Sequence, residues 1–200
     1  IAAHRIGFVH RDIKPANLFL HESSTGEVTV KICDFGVAKE LTQAIGGSSA
    51  TKLTHSGSLV GTVVYMSPEQ AKNAKYADAR TDVWSLSLSL YEALSGEKPW
   101  EHARSIAELT IAICTEDLPP LLQRAPWIDP ILAAVVDRGL RRDVGARWSS
   151  IDELAKALLP YCSTAPLKRD MLGPLSPERR KHRANIEKSP PLLSRIVAWL

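Results

Sequence analysis

Residues 10–17 read His10-Arg11-Asp12-Ile13-Lys14-Pro15-Ala16-Asn17, and this stretch decides how the chain is interpreted. Two further stretches follow it in order: Asp34-Phe35-Gly36, then Gly61-Thr62-Val63-Val64-Tyr65-Met66-Ser67-Pro68-Glu69. The first places a carboxylate, a cation and a carboxamide in one short loop constrained by proline. Asp34 follows a strand-like run and precedes a glycine that permits a sharp turn. Two oxygen-bearing groups from separate segments, Asn17 and Asp34, suit Mg²⁺. That ion takes few protein ligands and completes its shell with water and substrate phosphates. A third group, Asp12, is of the type that accepts a proton from an incoming hydroxyl. Lys14 offers a point charge to a moving phosphoryl group. Together these parts point to phosphoryl transfer, in which positioning and charge neutralisation do most of the catalysis.

The rest of the sequence fits a soluble enzyme domain. The 200 residues are 44% hydrophobic and 24% charged, an ordinary globular balance that excludes a disordered chain. The longest unbroken apolar run is Ile131–Val136. Neither a membrane-spanning helix nor a signal peptide is therefore expected. The first residue is Ile1, and the methionines are Met66 and Met171, so the expectation is a piece of a longer protein. Residues 1–160 carry 17 Lys/Arg against 19 Asp/Glu, whereas residues 161–200 carry 8 against 3. The formal charge of +3 thus comes from the tail. A globular part without positive excess is a poor nucleic-acid binder, and no nucleic acid is expected as partner. Cys33, Cys114 and Cys162 are far apart, with no CxxC pair and no zinc spacing, which points to a reducing compartment.

Residues 1–10 read as the end of a helix running into a loop. Asn17–Leu20 and Val28–Cys33 suit strands, and Ser23-Ser24-Thr25-Gly26 between them is turn chemistry, so a hairpin is expected. Residues 34–69 show no steady periodicity, the mark of a functional or mobile loop. From Thr81 the pattern becomes helical. Val83, Leu86, Leu90 and Leu94 fall on one face, with Asp82 in the first turn and Gly96 at the stop. Ser105 with Glu108, and Ser150 with Glu153, have capping-box spacing, and Asp129-Pro130 opens a helix to about Leu140. From Pro160 the chain turns Pro-rich and basic, a linker composition, and residues 192–200 are apolar again.

In order, HRDIKPAN, DFG and GTVVYMSPE resemble the signature of a protein kinase, and the closest cast is that of the bacterial, eukaryotic-like (Hanks-type) serine/threonine kinases. The resemblance covers roughly residues 1–160. It implies the C-terminal lobe of the protein kinase-like fold, mainly α with a small β-hairpin near the active site. Residues 161–191 are then a Pro-rich basic linker, and 192–200 an apolar segment that fits the start of a truncated element. ATP and Mg²⁺ are the implied cofactors, and Mn²⁺ is compatible with the same ligands. The implied partners are proteins with Ser/Thr acceptors. Pairing of two copies for trans-autophosphorylation is compatible, and the sequence does not decide it. A cytoplasmic location follows, with tethering to the inner face of the membrane in the full-length protein left open.

The resemblance also carries roles onto individual residues. Asp12 corresponds to the catalytic base, Asn17 and Asp34 to the Mg²⁺ ligands, and Lys14 to the lysine that contacts the γ-phosphate. Thr62 corresponds to the threonine that braces Asp12 and Lys14, and Phe19 to the floor under adenine. His10 and Phe35 match core positions that stack when the site is assembled. Glu69 and Arg147 resemble a buried ion pair, and Asp82 the aspartate that holds the catalytic loop's backbone. Arg11 resembles the arginine that gathers an activation-loop phosphate; an ordinary surface ion pair is the alternative. Thr54 and Ser56 have the spacing of autophosphorylation sites or are plain solvated hydroxyls. Cys33 reads as a buried structural thiol, with a reactive thiol near the nucleotide as the alternative. Ser87 stands where the family often has glycine. Gly-rich loop, strand lysine and partner glutamate do not occur in these residues, so the fragment alone is expected to be nearly inactive. The alternative function is a non-catalytic half-kinase that binds or regulates. A small-molecule kinase is disfavoured by the GTVVYMSPE segment, which in the family positions a protein acceptor.

Overall fold

The structure, a computed structural model, describes residues 2–34, 63–163 and 165–169; of Tyr76 only the backbone is described. A single helical turn, α1 (Ala2–Arg5), leads into the loop of residues 10–17. That loop closes in a short 3₁₀ turn at Pro15–Asn17, where proline's fixed φ suits the first position. Strands β1 (Leu18–Glu22) and β2 (Val28–Ile32) then form the expected antiparallel hairpin, with Leu18 opposite Ile32 and Glu22 opposite Val28. Gly26 makes the turn possible: its φ is 78°, and its N–H bonds to Ser23 O at 3.0 Å. Leu167, beyond the last helix, is buried against Val28 and Val30.

The helices follow in the order α2 (Pro68–Asn73), α3 (Arg80–Ser95), α4 (Ile106–Thr115), α5 (Leu121–Arg124), α6 (Pro130–Gly139) and α7 (Ile151–Leu158). α3 is the axis of the molecule. The single apolar face read from its sequence proves incomplete, because the helix is buried on nearly all sides. Val83, Leu86, Leu90 and Leu94 enter a core with Leu132, Val136, Leu154 and Leu158. Trp84 and Leu88 point the other way, into a second core with Val63, Trp100, Leu109 and Ile113. Each such apolar side chain contributes roughly 1.5–3 kcal/mol on burial.

Serines between the leucines would be costly there unless satisfied. Ser85 and Ser89 donate to the carbonyls of Thr81 and Ser85 one turn back, and Ser95 donates to Tyr91 O. The alternating Ser-Leu pattern is therefore a helix and not a strand. Gly96 ends it in the left-handed region, φ 74°, with its N–H on Glu92 O.

The caps are mostly as expected. Ser105 and Ser150 accept from the N–H of Glu108 and Glu153, and Asp129 caps α6. The reciprocal carboxylate contacts differ, however. Glu108 and Glu153 reach one residue further back, to the N–H of Arg104 and Ser149. The complete reciprocal box lies at α2, between Ser67 and Gln70, where the stretch read as an aperiodic loop ends.

Candidate active site

The loop of residues 10–17 is anchored from α3. The fully buried Asp82 carboxylate accepts the N–H of His10 at Oδ2 and the N–H of Arg11 at Oδ1, both at 2.7 Å. Arg11 thereby sits at φ 66°, a left-handed conformation uncommon for a residue with a side chain. From α2, Gln70 Nε2 donates to Arg11 O at 3.0 Å. The backbone entering Asp12 is thus held through both its N–H and its C=O.

Asp12 is held by several contacts. Its carboxylate receives the Lys14 ammonium at 2.8 and 3.1 Å and the Asn17 amide at 2.9 Å. Asn17 Nδ2 also donates to Asp12 O at 2.8 Å. Both of these carboxylate partners are donors, which suits an ionised carboxylate, an acceptor-only group. The Asp12 and Lys14 side chains are 11% and 13% exposed, so their contact is only partly screened by water.

Asp34 reaches the same place through the residue before it. Cys33 N–H bonds to Asn17 O at 2.9 Å, and the His10 ring meets Cys33 O at 3.2 Å. Because His10 Nδ1 accepts from Asp12 N–H at 3.3 Å, its hydrogen belongs on Nε2, which donates to Cys33 O. His10 is buried at 4% exposure and acts as a brace between the two segments. Asp34 itself is exposed, at φ 62°. Cys33 is partly exposed, which corrects the buried thiol expected from sequence; it is the backbone of Cys33 that is engaged.

The donor set at Asn17 and Asp34 fits a hard cation. The Asn17 NH₂ is committed to Asp12, which fixes the amide plane and leaves its carbonyl oxygen as the acceptor. Asp34 adds a solvent-facing carboxylate. Phe19, two residues beyond Asn17 on β1, is 51% exposed opposite Lys31.

The second anchor is Glu69 with Arg147. The guanidinium, 0% exposed, forks onto both carboxylate oxygens at 2.7 and 2.8 Å, and it lies over the Trp84 ring at 4.9 Å. Burial alone would raise the Glu69 carboxyl. Hydrogen bonds and charge from Arg147 outweigh it and hold the group below its ordinary 4.5. Thr81 donates to the same carboxylate at 3.0 Å.

The structure therefore brings Asp12, Lys14, Asn17 and His10 together, places Asp34 one residue beyond the shared Cys33 contact, and sets Asp82, Glu69 and Arg147 as supports. The Arg11 side chain rests on Ala77 O at 3.4 Å. Thr62, Phe35, Thr54 and Ser56 lie outside the described residues. Sequence reasoning missed Gln70 as a brace for Arg11, although the Ser67–Gln70 spacing was available as a signal. It also missed Tyr65, whose hydroxyl donates to Glu92. Burial, and then that hydrogen bond, push the Tyr65 hydroxyl well above the usual tyrosine range. No local sequence signal marks that pair.

A family model described as the protein kinase domain matches residues 2–160. The chain belongs to the protein kinase domain family. The kinase domain is 33% identical over 152 residues to a probable serine/threonine-protein kinase PknB of Lactococcus lactis, covering 76% of this chain and 22% of that protein. It is 33% identical over 157 residues to the serine/threonine-protein kinase PknB of Mycolicibacterium smegmatis, covering 78% and 23%. A probable serine/threonine-protein kinase of Streptomyces coelicolor is 37% identical over 152 residues, covering 76% and 21%. The chain thus spans a little over a fifth of the length of these relatives. No helix among the described residues is long and apolar enough to cross a membrane.

Proposed function

We propose that this kinase domain serves ATP-dependent phosphoryl transfer to serine and threonine hydroxyls of protein acceptors. The observation that carries the reading is the contact set around Asp12. Lys14 and Asn17 orient its carboxylate, while Asn17 and His10 hold the residue preceding Asp34. Asp12 accepts the proton of the acceptor hydroxyl, and Lys14 places positive charge beside the transferred group. Asn17 Oδ1 and the Asp34 carboxylate would hold Mg²⁺, which supplies charge neutralisation to the nucleotide phosphates. Phe19 offers an apolar surface to the base. Glu69–Arg147 and Asp82 keep these groups on a rigid helical support.

The names of the relatives support serine and threonine as acceptors, and Lys14 two residues after Asp12 agrees with that choice. Autophosphorylation of Thr54 or Ser56, gathered by Arg11, is the regulatory part of the proposal. The 200 residues by themselves should transfer phosphate slowly, because they carry no Gly-rich loop and no strand lysine with its glutamate.

The test is Asp12→Asn in the complete protein with a protein acceptor and labelled ATP. Transfer should fall about 10²–10⁴-fold. Turnover close to that of the unaltered protein would refute the role of base. Mass spectrometry of the active protein should find phosphate within residues 51–58, and a bare segment in a fully active enzyme would refute the regulatory part.

A further inference from the structure

The chain beyond α7 does not leave the domain as a plain linker. Residues 165–169, past the end of the family match at residue 160, lie against the hairpin. Val28 N–H donates to Leu167 O at 2.7 Å, and Glu27 and Lys168 form an antiparallel bridge. Leu167 is 7% exposed, whereas Pro166 and Lys168 on either side of it are exposed. That alternation is the one an extended chain produces when a single side chain is turned inward. Arg169 reaches Glu22, the residue opposite Val28, at 3.5 Å; this ion pair is exposed and adds little.

The hairpin needs that contact. Two paired strands are marginal in water unless a further strand or a packed apolar face supports them. Among the described residues, the buried cluster here consists of Val28, Val30 and Leu167, with Leu18 packed against it, and no helix residue belongs to it. Removing the Leu167 side chain takes away the cover of two valines. The open end of the same hairpin carries the two residues proposed to hold Mg²⁺. Asn17 precedes Leu18, Asp34 follows Cys33, and Cys33 N–H bonds to Asn17 O at 2.9 Å. We infer that residues 165–169 are a strap that closes the hairpin, and that Leu167 is a positioning residue for Asn17 and Asp34. The cation part rests on the kinase reading above. Leu167 packs on Val28, Val30 and Leu18, so its effect on Asn17 and Asp34 passes through the pairing of the two strands.

The complete protein is prepared with Leu167→Ser, which removes the apolar cover, and with Leu167→Met, which keeps its volume. Hydrogen exchange is followed over residues 18–32 and over α3, and phosphate transfer is titrated with Mg²⁺. In Leu167→Ser, exchange over residues 18–32 should quicken about 10–100-fold while α3 keeps its protection. Half-saturating Mg²⁺ should rise roughly 10-fold, the lower end of what the outer supports of a metal site contribute. KM for the protein acceptor should stay within about twofold. Leu167→Met should restore both the hairpin protection and the Mg²⁺ dependence. Unchanged exchange over residues 18–32, a loss of protection in α3 equal to that in the hairpin, an unaltered Mg²⁺ dependence, an acceptor KM raised as much as the Mg²⁺ requirement, or a methionine variant as impaired as the serine one would each overturn the inference. If the unaltered protein transfers no phosphate, the kinase reading fails and the cation part with it, and the exchange comparison still decides whether the strap closes the hairpin.

Discussion

Gly139 of α6 and Ser87 of α3 meet with no room between them. A methyl group on Gly139 would lie 1.9 Å from Ser87 Oγ and 2.7 Å from Ser87 Cβ. The Ser87 hydroxyl is also buried without a hydrogen-bond partner among the described residues. The serine at position 87 is thus accommodated by a glycine on the facing helix. Gly139→Ala should destabilise the domain by about 1–3 kcal/mol through overpacking. Ser87→Gly in the same chain should recover a large part of that loss. Urea unfolding of the four variants gives the coupling energy, and strictly additive effects would show that the two positions do not press on each other.

The Glu69–Arg147 pair should behave as a buried fork. Removing one partner, as in Arg147→Met, leaves a charge without compensation and should cost about 3–5 kcal/mol. Arg147→Lys should recover only a minor share, because an ammonium cannot bridge both Glu69 oxygens while also donating to the carbonyl of Arg141. Equilibrium unfolding measures both. A lysine variant as stable as the parent would show that charge, and not the fork, holds the helices together.

The same pair sets a pH dependence of definite sign. Glu69 in the folded domain lies below its ordinary 4.5, against burial and by virtue of Arg147. A carboxyl depressed on folding adds stability that is complete above its unfolded value and is lost as pH falls through the folded one. Stability should therefore decline below about pH 4.5 with a contribution from Glu69 that disappears in Glu69→Gln. Denaturant midpoints taken from pH 7 down to pH 3 test this; an unchanged acid slope in Glu69→Gln would contradict it. Asp78, depressed by its hydrogen bonds to Arg80, contributes in the same direction, so part of the slope should remain.

Asp82→Asn should damage the loop more than the helix that carries it. An asparagine presents one acceptor and one donor where the structure asks for an acceptor at both oxygens. A backbone N–H then faces another N–H, at a cost of about 1–3 kcal/mol. With the Arg11 turn loosened, kcat should fall by about 10²-fold. Helical circular dichroism at an unchanged amplitude, together with the kinetic loss, would locate the damage in residues 10–12. A variant with full activity would show that the loop is set from elsewhere.

Much of this architecture could be read from the residues themselves. The hairpin followed from two strand-like runs around a glycine turn, and the caps at Ser105, Asp129 and Ser150 from spacing alone. Asp12, Asn17, Asp34 and Glu69 stand in motifs whose order is distinctive, and Asp82 and Arg147 follow from the resemblance; the structure brings Asp12 and Asn17 into contact and sets Asp82, Glu69 and Arg147 as supports around the loop. What escaped depends on three-dimensional neighbours. The burial of α3 on nearly all sides has no local signature, because Trp84 and Leu88 serve a second core that assembles from distant segments. Gln70 as a partner of Arg11 O joins residues far apart in sequence. The Glu108 and Glu153 carboxylates bypass the expected N–H for that of the residue before it. Cys33 is partly exposed just beyond the strand pair, and it is its backbone that Asn17 and His10 engage.

Asn17 grips Asp12 with its side chain and Cys33 with its backbone carbonyl. One residue therefore works as a linchpin between the segment that carries Asp12 and the segment that leads into Asp34. A displacement of either segment would have to break or carry along contacts made by that single amino acid, which ties the placement of Asp12 to that of Cys33.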